Sequence, residues 1–254
     1  MDSFLKKPVA ARLAALIGLS ISIAALGYSL ITYDLLEWTS PRPPQGSAPS
    51  PRDRWAPLDP RITDHGTHMV YVPDGVSFDK KCWLLFALSP SGDAPSMILK
   101  WRKVADRHGW ILAASKESKN GLPFDVGLGM IDSELREVKQ RYPVDERRVI
   151  FTGLSGGGMA SHAFAKFHPL LVSAVIINTG MMEQSFMTAD YPEQKLAVFL
   201  ASPTDFRYKE MHRDLAFLES HRWKTKWIEF PGGHRLAPDE VCEQAAQWLE
   251  ENLQ

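Results

Sequence analysis

Residues 147–160 read RRVIFTGLSGGGMA. A run dense in β-branched and aromatic residues stops at Gly153, and a small-residue, helix-compatible stretch follows almost at once. The chain must pass from strand to helix within one tight turn. That turn strains the residue at its apex and needs neighbours without Cβ, so that strand and helix can approach. Gly153-Leu154-Ser155-Gly156-Gly157 fits G-x-S-x-G, the turn that presents a serine hydroxyl at a strand end. Two other glycine-loop readings fail on spacing. A phosphate-cradling loop needs G-x-x-x-x-G-K-[ST], and no Lys-Ser or Lys-Thr follows these glycines. The dinucleotide fingerprint G-x-G-x-x-G does not fit glycines at 153, 156, 157 and 158.

The rest of the region from residue 55 onward supplies a matching frame. Short apolar runs at 68–72, 83–88, 110–114, 148–152, 173–178, 196–201 and 225–229 read as strands. Several are dense in Val, Ile, Leu and Phe, as strands covered on both faces should be. Amphipathic stretches at 96–107, 128–141, 157–167, 209–221 and 238–252 read as helices. The last has Pro238 in its first turn, Asp239 and Glu240 at its positive end, and Val241, Ala245, Trp248 and Leu249 on one face. Alternation of this kind implies a mostly parallel α/β sheet with helices on both faces and its site at the C-terminal strand ends. It leaves no room for a large cap.

Before residue 55 the pattern changes. Residues 13–33 form a stretch of 21 without a charge, preceded by Lys6, Lys7 and Arg12 and followed by Asp34 and Glu37. As a helix rising about 1.5 Å per residue it would cross a hydrocarbon core of roughly 30 Å. We read 1–12 as a cytoplasmic N-terminus, 13–33 as a transmembrane signal anchor, 34–54 as a proline-rich linker and 55–254 as one catalytic domain exported to the periplasm or exterior. A cleaved signal peptide is the competing reading; its apolar core would be shorter, about 7–15 residues. With a formal net charge of −1, nothing points to nucleic acid. Cys82 and Cys242 are far apart and have no metal-ligand spacing. No metal and no cofactor is expected.

A serine hydroxyl is a weak nucleophile without a base. For this topology the chain order is Ser, then acid, then His. His234 follows the run 225–229 and the turn Pro231-Gly232-Gly233, whereas His212 and His221 fall inside a helical stretch. Asp205 follows the run 196–201 and is the acid of choice, with Asp190 and Asp239 as fallbacks. The oxyanion donors expected are the N–H groups of Gly156 and of Ser91, with Gly92 next, since Pro90 has none. Met181, Met182 and Phe186, in the long segment 180–195, are candidate substrate walls, with a small helix packed on the core as the alternative. The segment 116–124 is a second candidate wall.

With these residues in view, the chain resembles the esterase family of polyhydroxybutyrate depolymerases and feruloyl and acetylxylan esterases. The resemblance is carried by Asp125-Val126-Gly127, by Tyr142-Pro143-Val144-Asp145 with Arg147-Arg148-Val149, and by the segment from Gly153 to Met159. It implies an α/β-hydrolase fold and carboxylic-ester hydrolysis, with Ser155 as nucleophile, Asp205 as acid and His234 as base. Where the family has His-Gly after its third strand, this chain has Ser89-Pro90. A peptidase or thioesterase on the same residues, and a tethered non-catalytic binding protein, remain open alternatives, because a fold does not fix a substrate.

Overall fold

The computed structural model describes residues 59–253. The anchor and the linker assigned to 13–54 therefore lie outside the described residues. Among the described residues no helix is long and apolar enough to cross a membrane.

Eight strands form one sheet: β1 (Ile62–Asp64), β2 (His68–Tyr71), β3 (Cys82–Leu88), β4 (Ile111–Ser115), β5 (Val144–Leu154), β6 (Ala174–Asn178), β7 (Leu196–Ala201) and β8 (Lys224–Glu229). Their order across the sheet is β1-β2-β4-β3-β5-β6-β7-β8. The β1–β2 and β2–β4 pairs are antiparallel and every other pair is parallel. Five helices connect or follow them: α1 (Ala94–His108), α2 (Phe124–Arg141), α3 (Gly156–Phe167), α4 (Tyr208–Ser220) and α5 (Asp239–Asn252).

The central strands are apolar on both faces, and their side chains alternate between two cores. Leu84, Phe86 and Leu88 of β3 join Phe151 of β5 and Phe199 of β7 on the side covered by α2, α3 and α4. Leu85 and Ala87 join Ile150, Val198 and Leu200 on the side covered by α1 and α5. Phe86, Phe151 and Phe164 stack in sequence, with ring centroids 5.0 and 4.6 Å apart, and clamp α3 to the sheet. Helix α1 starts where the Asp93 carboxylate accepts the Ser96 N–H and ends at Gly109, whose φ of 67° only glycine adopts without strain. The neighbours β3 and β5 send their helices to opposite faces. In open parallel sheets, a crevice for ligands forms outside the C-terminal ends of such a pair.

Two elements differ from the sequence reading. Strand β1 was not anticipated, because ITD is short and mostly polar and is held as an edge by pairing with β2. Strand β5 begins at Val144, four residues earlier than the apolar run, through a Cys82–Val144 pairing with a register shift before Leu84. The residues Asp145 to Arg147 of this extension are charged, so periodicity could not reveal it.

One buried acid sits beside the loop that leaves β4. Glu134 of α2 is 3% exposed, accepts a hydrogen bond from Ser115 Oγ at 3.1 Å, and leaves Oε2 without a partner among the described residues. Burial pushes its carboxyl up to about 8, against the smaller opposing effect of the Ser115 hydrogen bond. Between its unfolded value of about 4.3 and its folded value, the folded state keeps a proton that the unfolded state releases. Its contribution to stability therefore falls as pH rises through that window. Glu134→Gln keeps the acceptor and removes the ionisation. Thermal unfolding should show variant and wild type alike near pH 4, and the variant more stable by on the order of 3 kcal/mol near pH 8. A difference that stays flat across this range would show that Glu134 titrates normally.

Candidate active site

Ser155 stands between the end of β5 and the start of α3 with φ 51° and ψ −115°, and its side chain caps no helix N–H. A non-glycine residue at positive φ is held there only by its surroundings. The Ser155 N–H donates to the Asn178 carbonyl at 3.0 Å, at the end of neighbouring β6. The flanking glycines permit the approach. A Cβ on Gly153 would come within 2.1 Å of the Gly157 carbonyl carbon, and one on Gly157 within 2.3 Å of the Leu88 carbonyl oxygen. Any side chain at either position would push strand and helix apart.

Asp205 lies in the turn after β7. Its N–H donates to the Ser202 carbonyl at 2.9 Å, and its Oδ1 accepts the Arg207 N–H at 2.6 Å. Its carboxylate is fully buried, and Oδ2 lies 2.7 Å from His234 Nδ1. His234 follows β8 and the turn Gly232-Gly233, both at positive φ. Its Nδ1 is paired with Asp205, and the side chain remains 28% exposed. The Gly233 N–H donates to Ser202 Oγ at 2.9 Å and fixes the turn that delivers the imidazole.

Asn178, which the sequence reading missed, joins the two halves. Its carbonyl accepts the Ser155 N–H. Its side-chain Nδ2 donates to the Arg235 carbonyl at 2.9 Å, and its Oδ1 accepts the Ala237 N–H at 2.7 Å. One buried residue therefore holds both the Ser155 turn and the loop just after His234. A strand-final asparagine is the only sequence signal it gives. Phe206 was also missed. It is 61% exposed, and its ring lies 4.5 Å from that of His234.

The fallback acids are engaged elsewhere. Asp190 is exposed and paired with Lys166. Asp239, at the start of α5, is held down to about 2 by hydrogen bonds from Lys100 and Lys103. His212 stacks on Trp227 with centroids 4.0 Å apart, and His221 packs on Phe217.

The oxyanion and wall residues divide. Gly156 occupies the first position of α3. The Ser91 N–H donates to Ser89 Oγ at 3.2 Å, so in this arrangement it is turned into its own loop. Against Gly156 lies Asn120, from the candidate wall 116–124. Met182 is fully buried, with its N–H donated to Asp214 Oδ2 at 2.5 Å and its carbonyl bonded by Arg213. Burial pushes Asp214 up to about 6. Phe186 is buried between Phe124 and Phe167. These two side chains of the segment are core packing, the alternative weighed from the sequence, and Met181 alone of the three stays half-buried. A hollow of about 330 Å³ lined by Phe78, Lys80, Lys139 and Tyr142 lies at the opposite, N-terminal ends of β3 and β5, away from this chemistry. Among the described residues no group of His, Cys, Asp and Glu is placed to hold a metal ion.

No protein-family model matches the chain, and no curated protein is significantly similar to it in sequence. Solved structures are similar in fold. A thermostable esterase is 20% identical over 72% of this chain, with a TM-score of 0.54; the chain spans 58% of that protein's length. A carboxylesterase from Mesorhizobium loti is 15% identical over 75% of this chain and 99% of its own, with a TM-score of 0.58. The fluorophosphonate-binding serine hydrolase FphF of Staphylococcus aureus is 15% identical over 75% of this chain and 94% of its own, with a TM-score of 0.57. With the sheet order and the crossovers described above, this likeness identifies the architecture of residues 59–253 as the α/β-hydrolase fold.

Proposed function

We propose that the protein is a serine hydrolase that cleaves carboxylic esters through an acyl-enzyme. The observation that carries this reading is the 2.7 Å pairing of the buried Asp205 carboxylate with His234, on loops at the sheet edge where Ser155 is held at positive φ. In the proposed reaction Ser155 Oγ attacks the ester carbonyl carbon as His234 Nε2 takes its proton. The tetrahedral intermediate collapses, the C–O bond to the alcohol breaks, and His234 returns the proton to the departing oxygen. Water then attacks the acyl-enzyme with His234 again as base, releasing the acid and restoring Ser155. Asp205 orients the ring and stabilises the imidazolium. The exposed Phe206 ring beside His234 gives the departing alcohol an apolar neighbour.

The kinetic test uses the fragment from Trp55 onward and a panel of p-nitrophenyl esters of increasing acyl length. Ser155→Ala and His234→Ala should each lose on the order of 10⁶-fold in kcat, because such groups act as a unit. Asp205→Asn should lose about 10⁴-fold. Circular dichroism should show all three folded. Turnover by Ser155→Ala near the wild-type rate would refute the assignment.

We also propose that residues 13–33 anchor the protein and that 34–54 tether the hydrolase domain outside that membrane. The support is the uncharged run of 21 residues with basic residues before it and acidic residues after it. Full-length protein should sediment with membranes and stay there in high salt, because apolar insertion is not screened by ions. The fragment from Trp55 should remain in the supernatant. Recovery of a mature soluble chain starting near Ala25–Tyr28 would mean instead that the segment is cleaved.

A further inference from the structure

Ester hydrolysis at Ser155 needs a second donor beside the Gly156 N–H for the oxygen that gains negative charge. Beyond Ser89, the turn after β3 offers none in its observed arrangement. Pro90 has no N–H. The Ser91 N–H donates to Ser89 Oγ at 3.2 Å, the Gly92 N–H to the Ser89 carbonyl at 3.4 Å, and the Asp93 N–H again to Ser89 Oγ at 3.1 Å. Ser89 is itself buried, so this inward-folded turn is part of the packed structure.

The group that faces Gly156 comes from the next loop. A Cβ on Gly156 would lie 1.8 Å from Asn120 Oδ1 and 3.0 Å from Asn120 Nδ2, so the carboxamide rests directly on this glycine. Asn120 is exposed, and among the described residues its carboxamide has no hydrogen-bond partner. Its backbone, by contrast, is fixed. The Asn120 N–H donates to the Pro90 carbonyl at 2.8 Å, and Ser91 bridges Lys119. Gly92 is pressed on the same loop so closely that a Cβ there would meet the Lys116 carbonyl oxygen at 2.3 Å. At the root of the loop, Ser115 Oγ accepts the N–H groups of Glu117 and Ser118 and donates to Glu134. A rigid loop thus carries an uncommitted amide to the first residue of α3.

Resting on the reading of Ser155, His234 and Asp205 given above, we propose that Asn120 is a catalytic residue whose Nδ2–H donates to the carbonyl oxygen of the ester in the tetrahedral state. Its terminal torsion is broad and two-fold, so the amide turns its NH₂ toward the oxygen without moving the loop. The Gly156 N–H is the other donor. This accounts for Ser89-Pro90: a turn whose N–H groups fold inward is tolerated because the donor comes from the neighbouring loop. Substitution at Gly156 would displace the amide, so glycine is needed there for space.

The test measures hydrolysis of p-nitrophenyl acetate and butyrate by the fragment from Trp55, beside Ser155→Ala, Asn120→Ala and Asn120→Asp. Asn120→Ala should lose about 100-fold in kcat, with KM changed by no more than about threefold, as for loss of a transition-state donor. Asn120→Asp, of the same shape, should lose at least as much near pH 8, where its carboxylate repels the oxyanion. Its activity relative to wild type at the same pH should rise as pH falls toward the carboxyl range, a response that a merely structural role would not give. Asn120→Ala within about twofold of wild-type kcat, with Ser155→Ala dead, would overturn the role of Asn120 alone. Absence of turnover in the wild type, or its persistence in Ser155→Ala, would overturn the ester reading and this assignment with it.

Discussion

The site depends on one strained turn. Ser155 at φ 51° costs on the order of 1–3 kcal/mol, and the surrounding structure must hold it. The restraint comes from contact with strands on both sides. Gly157 lies against Leu88 of β3, and a Cβ on Gly180 would come within 2.9 Å of the Ser155 carbonyl oxygen. The stack of Phe86, Phe151 and Phe164 presses α3 onto the sheet and prevents the turn from relaxing outward. The Ser155 side chain caps no N–H of the helix that follows it.

The partner loops are tied into the same sheet. Asn178 ends β6, the strand between the Ser155 strand and the Asp205 strand. Its carbonyl takes the Ser155 N–H while its amide spans the Arg235 carbonyl and the Ala237 N–H. Ser202 does the same on the other side, taking the Asp205 N–H through its carbonyl and the Gly233 N–H through its hydroxyl. Serine, carboxylate and imidazole thus come from three separate loops whose relative placement is set by buried polar side chains. Buried groups of this kind are costly when unpaired, which gives the arrangement its rigidity.

Much of this was legible from local pattern. The runs 83–88 and 196–201 are dense enough in apolar residues to announce two-sided burial, and Gly-x-Ser-x-Gly after a strand announces the turn. Asp205 and His234 follow from chain order once the turn is recognised, and the structure pairs them. What was not legible depends on contacts distant in sequence. Asn178 and Ser202 are ordinary polar residues until the sheet brings 57 and 31 positions together. Asn120 belongs to a segment that reads only as a loop. Met182 and Phe186 looked like an adaptable wall, but the Met182 backbone is bonded to the buried Asp214 and Arg213, and Phe186 is enclosed by Phe124 and Phe167. Methionine and phenylalanine read the same whether they face a ligand or a core.

The central claim is that Ser155 is an activated nucleophile, and covalent labelling reads this without knowledge of the natural ester. A fluorophosphonate reacts with a serine only where a base and an oxyanion site assist it. Intact-mass and peptide analysis of the labelled fragment from Trp55 should find one adduct, on Ser155, with none on Ser155→Ala and strongly slowed labelling on His234→Ala. A wild-type fragment that is folded yet unlabelled, or an adduct that persists at another residue in Ser155→Ala, would contradict the account.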